Sequence, residues 1–386
     1  MKREVWLDFL RVTACFMVMV IHSTEPFYLG GDGALILTPA DAFWVAIFEG
    51  ICRCCVPIFL LASAYLQFPI RYSTGEFFRR RAVRILIPLL LWTVVYALVW
   101  GSPIDNFKGL LLNFNYAAGH LWFVYMLVGV YLIMPLLSPW AEKVSVKELE
   151  VYLGIWLFTT LFPFIREAAG GEAPLIQAAD GLPAPALFPL WGEASWNAYG
   201  LFYYVSGFFG YLLLGLYLRR FVEDRRWLKL LGCSLFLLGF AAIVWGLVLR
   251  FSATSDVFPL TGSLATAVAW ETPINFCGLP VVMTSVGLIL LFRSWFSRHS
   301  EDAPIYRHIT LPLSKAGYGM YLMHMLVLAT VSAKLRELWG LGSDGALGAW
   351  TTPAQILLTA LITFVVVGII AVLLQRIPKV GKYIIG

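Results

Sequence analysis

Charge is what this sequence has least of. Asp, Glu, Lys and Arg make up 13% of its 386 residues, against 60% hydrophobic. A water-soluble chain of this size carries about a quarter charged residues. The deficit excludes a soluble globular enzyme. The net charge of +5 is no nucleic-acid footprint either, because the basic residues sort by loop and form no patch. Metal-ligand spacing is also poor: no His-Glu-x-x-His pattern occurs and the lone Cys-x-x-Cys, Cys52–Cys55, has no second ligand pair, so no metal site is expected. The cysteines (Cys15, Cys52, Cys54, Cys55, Cys233 and Cys277) all lie in apolar segments and fit packed thiols better than disulfides. There is no repeat of fixed period and no low-complexity tract. Asp8 and Arg11 interrupt the first apolar stretch and no small-residue cleavage site follows, so a cleaved signal peptide is not expected.

What the chain does have is apolar segments of membrane-spanning length. Ten are expected, at roughly 5–24, 42–68, 83–101, 119–137, 149–165, 200–218, 228–250, 272–294, 313–333 and 353–375, the fifth being short. The fold expected is all-α, a polytopic integral membrane protein with about ten transmembrane helices. One domain over residues 1–386 is expected, with no soluble domain. Of the 28 Lys and Arg residues, 21 fall on alternate loops and the termini, five on the opposite loops and two, Arg11 and Arg53, within spans. That bias predicts both termini in the cytoplasm and a multi-pass protein of the cytoplasmic (inner) membrane.

A charge inside a span is costly and is seldom kept without a use. The first segment holds two candidates, in the run Asp8-x-x-Arg11-(x10)-His22. Eleven helical steps return to nearly the same face and climb roughly 16 Å. Arg11 and His22 therefore share one stripe at two depths, with Asp8 one turn below Arg11. An interfacial Asp8–Arg11 pair and a helix-end histidine fit the same residues. Glu49 and Arg53 at i, i+4 read as a buried ion pair that either fixes register or faces a cavity, and Pro57 follows as a kink. Arg79 and Arg80 read as positive-inside anchors. Arg81 and Arg84, at i, i+3, enter the apolar span as a pair suited to phosphate. His120, Trp122 and Tyr125 form one polar-aromatic stretch, and Tyr318, Tyr321 and His324 another. Most of these aromatic residues fit an interfacial belt, and His324 fits a core histidine bonded to backbone. The stretch Trp191–Tyr199 could stack on a sugar.

Taken together, these motifs resemble the acyltransferase family 3 membrane proteins. The resemblance rests on Asp8-x-x-Arg11-(x10)-His22, Arg53-x-x-Val56-Pro57-x-Phe59, Phe78-x-x-Arg81-x-x-Arg84-Ile85-x-x-Pro88, His120-x-Trp122 and Tyr321-Leu322-x-His324. Their order and spacing match over nearly the whole chain. Tyr199–Tyr217 and Arg376–Lys379 look most like the WecH-like O-acetyltransferase branch. The family's Ser-Gly pair is here Ser63-Ala64. The resemblance implies O-acetylation: an acetyl group passes from cytoplasmic acetyl-CoA, the donor substrate, to a hydroxyl of a surface-glycan or lipid-linked sugar of a polysaccharide.

On that reading His22 deprotonates the acceptor hydroxyl, Asp8 orients Arg11, and Arg11 holds the donor arm or stabilises charge. An acetyl-histidine intermediate is the less favoured variant. Arg81 and Arg84 grip the CoA phosphates, and Glu25 orients the His22 ring although Pro26 disfavours a helical Glu25. Arg53, Ser63, His120, Trp122, Tyr125, Tyr321 and His324 complete the substrate-binding set. The partners expected are acetyl-CoA, the sugar acceptor and the lipid bilayer, without nucleic acid; a homo-oligomer is left open. The competing class is a transporter or flippase with Asp8, Glu49 and His22 as a proton relay, although paired inverted halves are not evident.

Overall fold

The structure is a computed structural model that describes residues 3–30, 33–100, 116–168, 191–192, 197, 199–223, 225–297, 301–339 and 351–386. Among these residues nine helical segments are long and apolar enough to cross a membrane. The chain is an all-α polytopic membrane protein.

The first helix, α1 (Val5–Thr24), is the hub. α2 (Pro39–Cys52) starts on a capping box in which Thr38 and Asp41 bond each other's backbone N–H. The chain breaks at Arg53–Cys54 before α3 (Cys55–Gln67). The break sits where Pro57 can neither donate to the Arg53 carbonyl nor avoid it sterically. α4 (Thr74–Arg81), capped by Ser73, widens into a π turn over Ala82–Leu86 and then becomes α5 (Ile87–Val99). Pro88 at the second position of α5 explains the wide turn, since it removes the bond to the Arg84 carbonyl.

α6 (Trp122–Lys143), α7 (Val146–Thr159) and α8 (Phe162–Ala168) follow. The expected sixth span is realised as a 3-10 stretch, Gly200–Val205, and a 12-residue helix, α9 (Phe209–Arg220), too short alone to count as a span. The remaining helices are α10 (Trp227–Thr254), α11 (Leu264–Trp270), α12 (Leu279–Phe296), α13 (Leu311–Leu338), α14 (Thr351–Gln375) and α15 (Gly381–Ile384). A second π turn, Tyr306–Thr310, precedes Pro312 as the first precedes Pro88.

α1 packs against α2, α3, α12, α13 and α14. Leu10, Ala14 and Met19 on it are fully buried. A helix surrounded in this way can carry polar groups only on a face turned to a cavity or to polar neighbours.

At the end of the bundle away from the Arg-rich loops lies a feature the sequence reading did not anticipate. Three short antiparallel strands, β1 (Leu29–Gly30), β2 (Gly33–Ile36) and β3 (Leu260–Gly262), pair with Ala34 opposite Gly262 and Ile36 opposite Leu260. Strands this short carry no readable alternation. Beneath the sheet Tyr28, Ile36, Phe251, Leu260 and Trp270 form a small separate core. The sheet ties the segment after α1 to the segment after α10, and so fixes α11 beside the end of α1.

α10 and α12 approach until their backbones touch. A Cβ at Gly287 would lie 2.6 Å from the Phe236 nitrogen and 2.7 Å from the Gly232 carbonyl oxygen. Small residues permit such contact between membrane helices. Gly287→Val therefore drives a side chain into backbone that cannot yield. The expected loss is about 1–3 kcal/mol, read as a lower unfolding temperature in detergent. An unchanged melting temperature would contradict the packing.

Candidate active site

Two polar clusters lie along α1, one at each end. At the Arg-rich end Asp8 is 4% exposed and accepts four hydrogen bonds from three residues. Arg3 donates twice, at 2.6 and 3.1 Å, Tyr306 at 2.7 Å and Ser314 at 2.5 Å. Arg11, the partner expected from the sequence, is the more distant one, its Nη1 lying 4.0 Å from Asp8 and 3.5 Å from the Ser314 hydroxyl. Arg3 takes the closer place because its chain reaches Asp8 from the helix start with a two-point fork. Asp8 thus ties the start of α1 to the second π turn and to α13. Arg11 keeps 34% of its side chain accessible.

Near this cluster Ser63 bonds the Tyr131 hydroxyl at 2.8 Å and accepts from Gln67 at 3.0 Å. Arg81 lies over the rings of Phe77 and Tyr131, at 5.2 and 5.1 Å, and its Nε has no hydrogen-bond partner among the described residues. Arg84 is exposed. The π turn begins between the two arginines, so Arg84 is rotated from the face an unbroken α-helix would give it.

At the other end of α1 a cavity of about 1080 Å³ opens. His22, Glu25, Arg53, His120, Trp122 and Tyr321 all line it, brought there from α1, the α2–α3 break, the start of α6 and α13. Val18, Phe59 and Phe123 contribute apolar wall. Arg11, roughly 16 Å down the helix from His22, is not among the lining residues. Tyr125 is 41% exposed and does not line the cavity either.

The His22 Nδ1 stands 2.7 Å from a Glu25 carboxylate oxygen. Glu25 keeps a right-handed helical backbone despite Pro26 and opens a 3-10 turn over Glu25–Phe27, which folds its side chain back onto the ring. A carboxylate only accepts, so Nδ1 carries a hydrogen, and in the neutral ring Nε2 then keeps its lone pair. This is the arrangement of a general base with an orienting acid.

Two more imidazoles pack beside it. The ring centroids of His324 and His120 lie 5.1 and 6.5 Å from that of His22. His324 is fully buried, and its Nδ1, 2.6 Å from the Tyr321 carbonyl, must donate. The Tyr321 hydroxyl donates to the His120 carbonyl. No group of three His, Cys, Asp or Glu residues suited to a metal ion occurs among the described residues.

Arg53 is held at three points in the wall. Its Nε donates to the Ile274 carbonyl at 2.9 Å, its Nη1 meets Glu49 at 3.3 Å, and its plane lies 4.4 Å over Phe276. Glu49 is fully buried and also accepts from Thr24 at 2.6 Å. Trp122 packs against both Phe276 and Phe208.

The sequence reading passed over much of this wall: Phe162, Arg166, Glu167, Arg250, Trp270, Glu271 and Phe276. One signal was present. Arg166 and Arg250 belong to the few basic residues on the sparse side of the charge bias, and both face this cavity, where Arg250 pairs with Glu167. Of the stretch Trp191–Tyr199, Glu193–Trp196 and Ala198 lie outside the described residues, while Tyr199 lines the cavity.

The sequence model of the acyltransferase domain matches residues 4–372 of the chain. No curated protein and no solved structure matches it.

Asp8 and His22 should separate cleanly in stability measurements. Asp8→Ala strands the buried hydroxyls of Tyr306 and Ser314, at about 1–3 kcal/mol each. It should lower the melting temperature, whereas His22→Ala at the cavity wall should not. Equal melting temperatures for the two variants would refute this division.

Proposed function

We propose that this chain, which belongs to the acyltransferase family 3 membrane proteins, moves an acetyl group from acetyl-CoA to a hydroxyl of a surface-glycan or lipid-linked sugar. The family makes it a membrane acyltransferase. The observation that carries the finer reading is the His22–Glu25 pair in the wall of a large cavity, with the lone pair of Nε2 available. A hydroxyl is a poor nucleophile until a positioned base takes its proton.

The charge bias of the loops supports cytoplasmic termini and an inner-membrane location. On that orientation His22 works near the outer leaflet, and the donor is held at the Arg-rich inner end. Arg81 and Arg84 there are the residues for the CoA phosphates, since a guanidinium meets phosphate with two parallel bonds. Arg11 and the Ser63–Tyr131 pair border the path of the pantetheine arm, which must pass the level of Cys15 to bring the acetyl group to His22. Trp122, Phe208 and Phe276 offer apolar surface to the sugar. His120, Tyr321 and His324 form the packing that holds the His22 ring. The family match favours this reading over a transporter.

His22→Ala should cut transfer of label from radioactive acetyl-CoA to membrane glycan by two to four orders of magnitude, with the protein still inserted. Added imidazole should restore part of it. Full turnover in the variant would remove His22 from the mechanism. In a separate binding measurement, Arg84→Ala should weaken CoA more than dephospho-CoA if that arginine reads the 3′-phosphate. Unchanged CoA affinity in both the Arg81→Ala and Arg84→Ala variants would reject the clamp.

A further inference from the structure

We infer that Arg53 is the electrophilic partner of His22, stabilising the oxyanion of the acyl-transfer transition state, and that Glu49 is its positioning residue. The inference rests on the acyltransferase reading above. It starts from a mismatch of depth. Charge develops on the acyl carbonyl oxygen at the place where the acceptor oxygen attacks, beside His22. A stabilising donor must stand about 3 Å from that oxygen. Arg11 sits roughly 16 Å down α1 from His22 and does not line the cavity, so it cannot be that donor in this state. Arg53 does line it.

Arg53 also has the build that the role needs. Oxyanion donors work because they are fixed before the reaction, so nothing reorganises when the charge appears. Nε is held by the Ile274 carbonyl, Nη1 by Glu49, and the guanidinium plane by the ring of Phe276. Its side chain is only 12% exposed. Nη2 makes no hydrogen bond among the described residues. Glu271 stands 3.9 Å from it, beyond hydrogen-bond reach. Glu271 is itself engaged by the Tyr28 hydroxyl at 2.8 Å. The Nη2 hydrogens are therefore the free edge of an otherwise fixed donor.

Glu49 does not line this cavity. Fully buried, it joins Arg53 to Thr24, two residues past His22. The same carboxylate thus fixes the donor relative to the helix that carries the base.

The step balances as follows. The acceptor oxygen forms a bond to the thioester carbon while its proton passes to His22 Nε2. The carbonyl π pair moves onto oxygen, where Arg53 Nη2–H donates to it. On collapse the C=O bond reforms, the C–S bond breaks, and the thiolate of CoA takes the proton from His22.

The experiment uses membrane vesicles containing the full chain, radioactive acetyl-CoA as donor and the native membrane glycan as acceptor. Arg53→Lys keeps a cation beside Glu49, so no buried carboxylate is stranded, but it loses the fork. The paired Glu49→Gln, Arg53→Gln variant leaves no unpaired charge. We expect kcat to fall roughly 10- to 100-fold in Arg53→Lys and 10²- to 10³-fold in the double variant, with the KM for acetyl-CoA unchanged. Glu49→Gln alone should lower kcat, and adding Arg53→Lys to it should cost less than the two losses multiplied. Unchanged kcat in Arg53→Lys, or a raised KM with kcat intact, overturns the assignment and leaves Arg53 a binding or structural residue. Transfer at the wild-type rate by His22→Ala, or no transfer by wild type, fails the acyltransferase reading itself, an outcome distinct from an active wild type with an indifferent Arg53.

Discussion

The structure depends on one constraint: an ionised group inside an apolar bundle must be paired, and pairing fixes geometry. The buried carboxylates among the described residues are met in that way. Asp8 gathers Arg3, Tyr306 and Ser314. Glu49 gathers Arg53 and Thr24. Asp41, at the far end of α2, accepts from Thr38 and from Thr352 at the start of α14. Each carboxylate joins elements distant in sequence, so the polar groups act as registration points for helices that are otherwise smooth and apolar. α1 is the element most of them touch, and it is the helix that carries His22.

The same constraint separates scaffold from chemistry. Asp8 has its acceptor capacity filled by protein donors. His22 has one ring nitrogen filled by Glu25 and lines the cavity, and Arg53 has two of its three nitrogens bonded to protein. A partly satisfied group in a cavity wall is where a substrate gains most from binding, because it supplies the missing partner. Two such groups of complementary character, a base and a cation, share one cavity with aromatic surface. That combination matches the needs of acyl transfer between a thioester and a sugar hydroxyl.

Much of this was legible in the sequence. The stripe from Asp8 to His22 follows from helical periodicity alone, and the break at Arg53–Cys54 follows from the kink expected at Pro57, whereas the π turn before Pro88 was not read. What was not legible depended on distance along the chain. The carbonyl that anchors Arg53 belongs to Ile274, 221 residues away, and Phe276, beneath its plane, is no closer. Asp8 had two arginines within reach in sequence, and only the structure shows Arg3 taking the closer place with a two-point fork. The three-stranded sheet escaped because its strands are too short to impose a period. Its effect is large nonetheless, since it holds the α11 segment, with Trp270 and Glu271, against the cavity.

The central claim is that the acyl group is delivered to the cavity at His22. A structure of the protein bound to a non-hydrolysable acetyl-CoA analogue tests it most directly. The account predicts the nucleotide at the Arg81–Arg84 end, the pantetheine arm along α1, and the acyl carbonyl in reach of both groups, with its oxygen about 3 Å from Arg53 Nη2 and room beside its carbon for a hydroxyl bonded to His22 Nε2. An acyl group that stays at the level of Arg11, with the His22 cavity unentered, would contradict it.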